Sequence, residues 1–471
     1  MPTLQEHQQR VLDRLYADNA PHGLIAYHST GSGKTLTALA ALQKALADKN
    51  SSALMITPAS LVQNVAKEQA KHGIDFPGTL DVMSYERARN LADHLAKKHY
   101  NMLVMDEAHR LRNSDTGLVQ SLKPVIGNSD KVLMLTGTAG YNHPSNVSSL
   151  INLIEPSVKM PENSADFEHA FVDDATWKLK NKKALARVLG KYVDLYDTPK
   201  SSSAFPSIEH EVVDVEMNSD QAKLYRQIMK GIPSTLLNKV RRNLPMSLRE
   251  SHGLNTFSSG VRQVSDSTGH HDIYRDPTDS PKLQEAARRM IERVKADKDF
   301  RGVAYSNFVD AGLNPYAKVL RSQGIDPMVF TGGVSGNEKK DILNRFNTLS
   351  GKPEVLLISS SGAEGLDLKG TRLLQILEPH FNQSKITQVE GRGARYMSHA
   401  HLPEDQRNLK IEEYHSTLPR TLWQRLTFRP ASTGIDEYLA NSAKKKQGIV
   451  DELKRITLEQ QEKQWARNQQ K

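Results

Sequence analysis

The segment that most narrows the folds open to this chain is Thr30-Gly31-Ser32-Gly33-Lys34-Thr35. It lies between the apolar run GLIAY (23–27) and the helix-patterned stretch TLTALAALQKALADK (35–49). Two glycines let the backbone turn tightly enough for successive N–H groups to face one anion, and the N-terminus of the helix that follows adds partial positive charge. The longer form of such a loop carries another glycine upstream, where this chain has Tyr27 or His28. Thr30, Gly31, Ser32 and Gly33 are expected to wrap the phosphates of ATP. Lys34 is expected to reach the β- and γ-phosphates, and the Thr35 hydroxyl to ligate Mg²⁺. A plain Gly-Ser turn opening a helix is the competing reading, and the strand-before, helix-after context weighs against it.

The surrounding chain repeats the pattern. SALMITP (52–58), LDVMSY (80–85), NMLVMDEAH (101–109) and KVLMLTGT (131–138) are short and apolar, as buried strands of a parallel sheet are. Leu36, Leu39, Leu42 and Leu46 fall at helical spacing between the first two strands. A second series begins near Arg301 with GVAYSNF (302–308), PMVFTGG (327–333), EVLLISSS (354–361), RLLQILEP (372–379) and LKIEEYHS (409–416). The expected class is therefore α/β, with two tandem lobes: an N-terminal ATP-binding lobe over 1–200, a linker and helical insertion over 201–285, a second lobe over 286–430 and a C-terminal helical segment over 431–471.

Two further patterns carry chemistry. Asp106-Glu107-Ala108-His109 closes an apolar run, so Asp106 can hold Mg²⁺ while Glu107 orients and deprotonates an attacking water. In Gln388-Val389-Glu390-Gly391-Arg392-Gly393-Ala394-Arg395 the two arginines share a helix face and suit phosphoryl oxygens. In isolation R-x-x-R is more often a surface pair; its company here favours the phosphate.

Composition bounds the partners. Lys and Arg number 63 against 54 Asp and Glu, a formal charge of +9, which favours polyanions such as nucleic acid. Cysteine is absent, so disulfides and thiolate metal sites are excluded. The start, MPTLQEHQQRVLDRLY, has no secretory pattern, and no apolar run approaches the ~18 residues of a membrane span. A cytoplasmic protein without membrane partners is the expectation.

Taken together and in order, these motifs resemble superfamily 2 helicases and, within them, the Snf2-like DNA-dependent ATPases. LQEHQ (4–8) resembles the upstream glutamine motif, which gives Gln8 an adenine contact. MITPASLVQNVAKE (55–68) and VMSYE (82–86) match segments that imply backbone contacts to nucleic acid from Thr57, Pro58, Ser84 and Tyr85. DEAHRLRN (106–113) carries the extension typical of Snf2-like members, and LTGTAGYN (135–142) has Ala139 where proline is usual. The resemblance makes His109, Thr136 and Thr138 coupling residues; polar groups satisfied inside strand-end loops are the competing reading. FTGGVSGNEKKDILNRFN (330–347) implies nucleic-acid contacts at Thr331 and Gly332. SSSGAEGLDLKG (359–370) implies them at Ser360 and Ser361, with Gly365 and Asp367 toward the nucleotide. QVEGRGAR is the sixth motif, giving Gln388, Arg392 and Arg395 catalytic roles.

In style the chain resembles compact helicases of large DNA viruses and phages. The fold this implies is two RecA-like P-loop lobes closing on one ATP. The activity implied is nucleic-acid-stimulated ATP hydrolysis coupled to movement on DNA, double-stranded by preference. An RNA helicase or transcription-associated NTPase is the alternative; a non-catalytic ATP switch fits less well, because Lys34, Glu107 and the arginine pair are all present.

Overall fold

The computed structural model describes residues 3–29, 31–137, 145–173, 178–197, 205–244, 246, 248–272, 274–348, 350–360, 366, 368–379, 389–391, 393–394, 397–420, 426 and 433–469. The chain divides into two compact units, Met1–Pro199 with Lys446–Lys471, and Lys200–Lys445.

The first unit is built on β1 (Gly23–His28), β2 (Ser52–Thr57), β3 (Thr79–Ser84), β4 (Met102–Asp106), β5 (Val132–Thr136) and β6 (Val193–Tyr196). All pair in parallel, in the order β3-β2-β4-β5-β1-β6. Because side chains alternate across a strand, each apolar run feeds two cores. Ile25, Tyr27, Leu54, Ile56, Leu103 and Met105 enter one, and Leu24, Ala26, Ala53, Met55, Met102 and Val104 the other. The second core is closed by α1 (Glu6–Tyr16) and α2 (Lys34–Ala45). The first is closed by helices including Gly117–Gly127 and Ser145–Ile154, and by Ile449, Val450, Leu453 and Ile456 of the long helix Ile435–Gln469.

The second unit carries β7 (Ser207–Glu216), β8 (Arg301–Ser306), β9 (Met328–Phe330), β10 (Glu354–Ser359), β11 (Leu373–Ile376) and β12 (Asn408–Thr417). They too are all parallel, ordered β7-β12-β11-β8-β10-β9. The expected pair of RecA-like sheets is thus present, each one strand richer than its apolar runs foretell.

The additions are β6 and β7. In β7 the sequence SIEHEVVDVE alternates acidic with apolar residues and lies at a sheet edge. Glu211 there is paired with Lys410 at 2.6 Å and Arg289 at 2.8 Å. Within the stretch expected to be a linker and helical insertion, Ser207–Glu216 is therefore a strand of the second sheet. The stretch continues through helices Ser219–Met229, Ser234–Arg241 and Leu248–Asp266, which share a core with Ile435, Tyr438 and Leu439.

Among the described residues no helix is long and apolar enough to cross a membrane.

Candidate active site

In a parallel sheet every strand ends at the same edge, so residues following strands meet there however far apart they lie in sequence. In the first unit that edge receives the glycine loop after β1, Thr57-Pro58 at β2, Ser84-Tyr85 at β3, Asp106-Glu107 at β4 and Thr136 at β5. Strand β5 separates β1, which leads into the glycine loop, from β4, which ends in the acidic pair.

The loop itself has the conformation its glycines allow. Gly31 (φ +86°) and Gly33 (φ +77°) are left-handed, and a side chain at Gly31 would meet none of the described residues within 4 Å. Gly33 is different: a Cβ there would sit 2.5 Å from Nε2 of Gln8. That amide nitrogen donates to the Gly33 carbonyl at 3.2 Å, while Oε1 of Gln8 accepts from the backbone N–H of Gln5 at 2.9 Å. Nε2 of His7 lies 2.8 Å from the Ser32 carbonyl. Gln8 thus braces the loop from below, its amide already engaged at both ends; an adenine contact would have to share it.

Lys34 opens α2, and its ammonium donates to the carbonyls of His28 (3.1 Å) and Ser29 (3.3 Å). Burial pushes that ammonium's pKa below the usual lysine range, against the pull of the Glu107 and Asp106 charges. Ser32 Oγ is buried without a partner among the described residues. An anion seated over Gly31 would find an open approach, an unengaged hydroxyl and a cation, so the loop fits the phosphate reading.

The acidic pair is held from several sides. Asp106 is 9 % exposed. Its Oδ2 accepts from Thr57 Oγ1 at 3.2 Å, its Oδ1 accepts from the Glu107 N–H at 3.0 Å, and its carbonyl accepts from the Tyr85 hydroxyl at 2.7 Å. Burial and the neighbouring Glu107 raise the Asp106 pKa, with Lys34, the Glu107 N–H and Thr57 opposing. For Glu107 burial also acts upward, but the His109 hydrogen bond and the charges of Lys34 and His109 outweigh it and hold the carboxyl below its ordinary range. Glu107 has left-handed backbone (φ +52°), costly for a residue with a side chain and maintained here by its surroundings. Nδ1 of His109 lies 3.2 Å from Glu107 Oε2 and 3.4 Å from Thr136 Oγ1. The donors present, a hydroxyl at Thr35 and a carboxylate at Asp106, are the hard oxygens that suit magnesium.

Two expected nucleic-acid contacts turn inward instead. Thr57 is fully buried and Tyr85 1 % exposed, and both hydroxyls are engaged by Asp106. Thr57 ends β2 and Tyr85 follows β3, and both side chains turn toward the end of β4. Pro58 and Ser84 are half-buried; Ser84 Oγ accepts from Arg87 N, capping the next helix. In the second unit Thr331 and Gly332 follow β9 and Ser360 follows β10; these strands are neighbours, so the three residues share one sheet edge. Thr30, Thr138, Ser361, Gly365, Asp367, Gln388, Arg392 and Arg395 lie outside the described residues.

What the motifs did not reveal is a buried cluster beneath the loop. Asp194 on β6 accepts from His28 Nε2 (2.8 Å), Arg10 (two bonds, each 2.9 Å) and Arg14 (3.0 Å). His7 stacks on Tyr196 at 3.7 Å between ring centroids. The only sequence signal was an aspartate inside a short apolar stretch.

Comparison with known proteins follows the same order along the chain. Residues 1–76 match the family "Type III restriction enzyme, res subunit", residues 76–270 the "SNF2-related domain" and residues 284–397 the "Helicase conserved C-terminal domain". A protein of Acanthamoeba polyphaga mimivirus named as an ATP-dependent RNA helicase, L538, is 29% identical over 461 residues, covering 97% of each chain. The DNA repair protein rhp54 of Schizosaccharomyces pombe is 24% identical over 465 residues, covering 83% of this chain and 54% of that one. A solved structure, the Sulfolobus solfataricus SWI2/SNF2 ATPase core in complex with dsDNA, is 16% identical with a TM-score of 0.37, covering 96% of this chain and 97% of that one.

Proposed function

Because this chain belongs to the SNF2-related helicases of superfamily 2, a family of ATPases, we propose that it couples ATP hydrolysis to movement along nucleic acid, with DNA, double-stranded by preference, as the track. The observation that carries the catalytic part is that Lys34, at the start of the helix after β1, and Asp106 and Glu107, at the end of β4, share one sheet edge.

In this reading the glycine loop and Lys34 bind the phosphates. Glu107, kept ionised by His109 and Lys34, aligns a water with the γ-phosphorus and takes its proton as the new P–O bond forms and the bond to the ADP oxygen breaks. Thr35 and Asp106 would hold Mg²⁺, which supplies charge neutralisation at the phosphates. Arg392 and Arg395 are assigned by motif to the negative charge of the transition state. Pro58, Ser84, Thr331, Gly332, Ser360 and Ser361 are assigned to the phosphate backbone; His109, Thr136 and Thr138 are assigned to coupling.

The DNA track is supported by the SNF2-related match, the basic charge and the name of the yeast relative. RNA is the second reading, favoured by the name of the mimivirus relative that spans nearly the whole chain. ATP turnover measured with duplex DNA, single-stranded DNA and RNA of equal length separates the two, and strand displacement separates unwinding from translocation. Lys34→Ala and Glu107→Gln are each expected to abolish stimulated turnover in a folded protein. Full turnover in both variants, or no stimulation by any nucleic acid, would refute the reading.

A further inference from the structure

We propose that Asp194 and Gln461 are positioning residues for the ATP site, acting through the edge strand β6; the inference rests on the nucleotide reading of the Gly31–Lys34 loop. Strand β6 is short, and one of its sides pairs with β1 in the register Ala26↔Asp194, Tyr27↔Leu195, His28↔Tyr196. That pairing continues into the phosphate loop, where the Ser29 N–H donates to the Tyr196 carbonyl at 2.9 Å. Ser29 and His28 are the residues whose carbonyls receive the Lys34 ammonium. The position of β6 therefore sets the position of the loop's first residues.

Two devices hold β6 in place. Arg10 and Arg14, one turn apart on α1, converge on Asp194 and also donate to β6 carbonyls, Arg10 to Leu195 (3.2 Å) and Arg14 to Val193 (2.8 Å). The helix so clamped is the one whose His7 and Gln8 support the Ser32 and Gly33 carbonyls. On the side of β6 away from β1, Gln461 satisfies the Leu195 backbone twice, accepting from its N–H at 2.8 Å and donating to its carbonyl at 3.2 Å. That carbonyl is the one Arg10 uses. An unbroken set of hydrogen bonds thus runs from the C-terminal helix through β6 and α1 to the phosphate loop, all within the first unit. Asp194 and Gln461 are 0 % and 5 % exposed. Neither lies in a motif the nucleotide reading uses.

In Asp194→Asn the two arginines lose their common counter-charge and one of the two oxygens that accept from them, and α1 and the loop relax together. Because this weakens binding of ATP and transition state alike, it raises KM rather than lowering kcat. The test measures nucleic-acid-stimulated ATPase kinetics and thermal unfolding, with and without a non-hydrolysable ATP analogue, on full-length Asp194→Asn, Gln461→Leu and Leu189→Ala. The last removes a buried apolar side chain of the same core and no polar group, since the Leu189 carbonyl, which accepts from the Val193 N–H of β6, stays in place.

Asp194→Asn is expected to raise KM for ATP about tenfold or more, with kcat within about twofold of the parent. Gln461→Leu should shift KM in the same direction by a smaller factor, while Leu189→Ala lowers the unfolding temperature at unchanged KM. Equal KM shifts in all three variants, or unchanged KM in Asp194→Asn and Gln461→Leu, would overturn the inference. Should Lys34→Ala retain full turnover, the nucleotide reading fails instead, and the two failures are distinguishable.

Discussion

Nδ1 of His109 lies 3.2 Å from Oε2 of Glu107, on the residue whose left-handed backbone turns the chain after β4. The same nitrogen lies 3.4 Å from the Thr136 hydroxyl at the end of β5, so one imidazole links the proposed base to the neighbouring strand. His109→Ala is expected to lower nucleic-acid-stimulated turnover by roughly tenfold or more while leaving ATP affinity near the parent's, because the base loses its orientation and keeps its charge. A titration of nucleotide binding beside steady-state rates checks both parts.

The acid limb of the pH–rate profile should report Glu107. As a base it works ionised, and His109 and Lys34 hold its carboxyl below the ordinary glutamate range against burial. Turnover should therefore persist into mildly acidic solution and fall only as Glu107 is protonated. In His109→Ala one of the groups holding that pKa down is gone, so the acid limb should move to higher pH. On the alkaline side burial lowers the Lys34 pKa, so the rate should fall below the ~10.4 of a free lysine. An acid limb that does not move in His109→Ala would remove Glu107 as the titrating base.

Stability should carry the signature of Asp194. Burial acts to raise its pKa, but the hydrogen bonds from His28 and Arg10, with the charges of Arg14 and Arg10, hold the carboxyl far below its usual range. A carboxylate depressed on folding stabilises the native state at every pH above its unfolded value of ~3.9. That contribution is lost as pH falls from there through the folded value. The gap in unfolding temperature between the parent and Asp194→Asn should be widest above pH ~4 and should close in stronger acid. A gap of constant size across that range would count against the clamp as the source.

Gly33→Ala combines a side chain at φ +77° with a Cβ 2.5 Å from the Gln8 amide. Left-handed backbone costs an alanine about 1–2 kcal/mol, and the amide must retreat from the Gly33 carbonyl it now supports. Weaker ATP binding and a comparable loss of folding stability are expected, read by calorimetric titration and denaturant unfolding.

In the second unit Arg301 is 1 % exposed and makes no carboxylate ion pair among the described residues. Its guanidinium donates instead to the carbonyls of Phe346 (2.7 Å), Thr348 (2.6 Å), Lys352 (2.9 Å), Phe300 (3.1 Å) and Asp299 (3.2 Å). It fastens the segment after helix Gly336–Asn347 to the start of β8. Arg301→Met should cost about 3–5 kcal/mol by stranding those acceptors. Hydrogen exchange should show the loss confined to residues 200–445 and absent from the first sheet.

Among the described residues ten of the twelve strands announce themselves as short apolar runs, because strands buried on both faces have no polar side to show. The two that do not, VDLY of β6 and SIEHEVVDVE of β7, hold acidic residues whose partners lie far along the chain. Asp194 meets His28 across 166 residues, and Glu211 meets Lys410 on β12. A pattern search sees only unburied charge in such a segment.

The sequence by itself determined the Gly31–Gly33 turn before α2, the place of Asp106 and Glu107 at a strand end and the α/β succession, since each rests on local backbone geometry or on residue types at fixed short spacing. Tertiary structure alone decided that Thr57 and Tyr85 face Asp106, that Gln8 braces Gly33, and that Asp194 anchors α1 and His28. Those outcomes depend on which strands become neighbours and on which way a strand-end side chain turns. Pairing between distant segments fixes both, and no window of adjacent residues contains it.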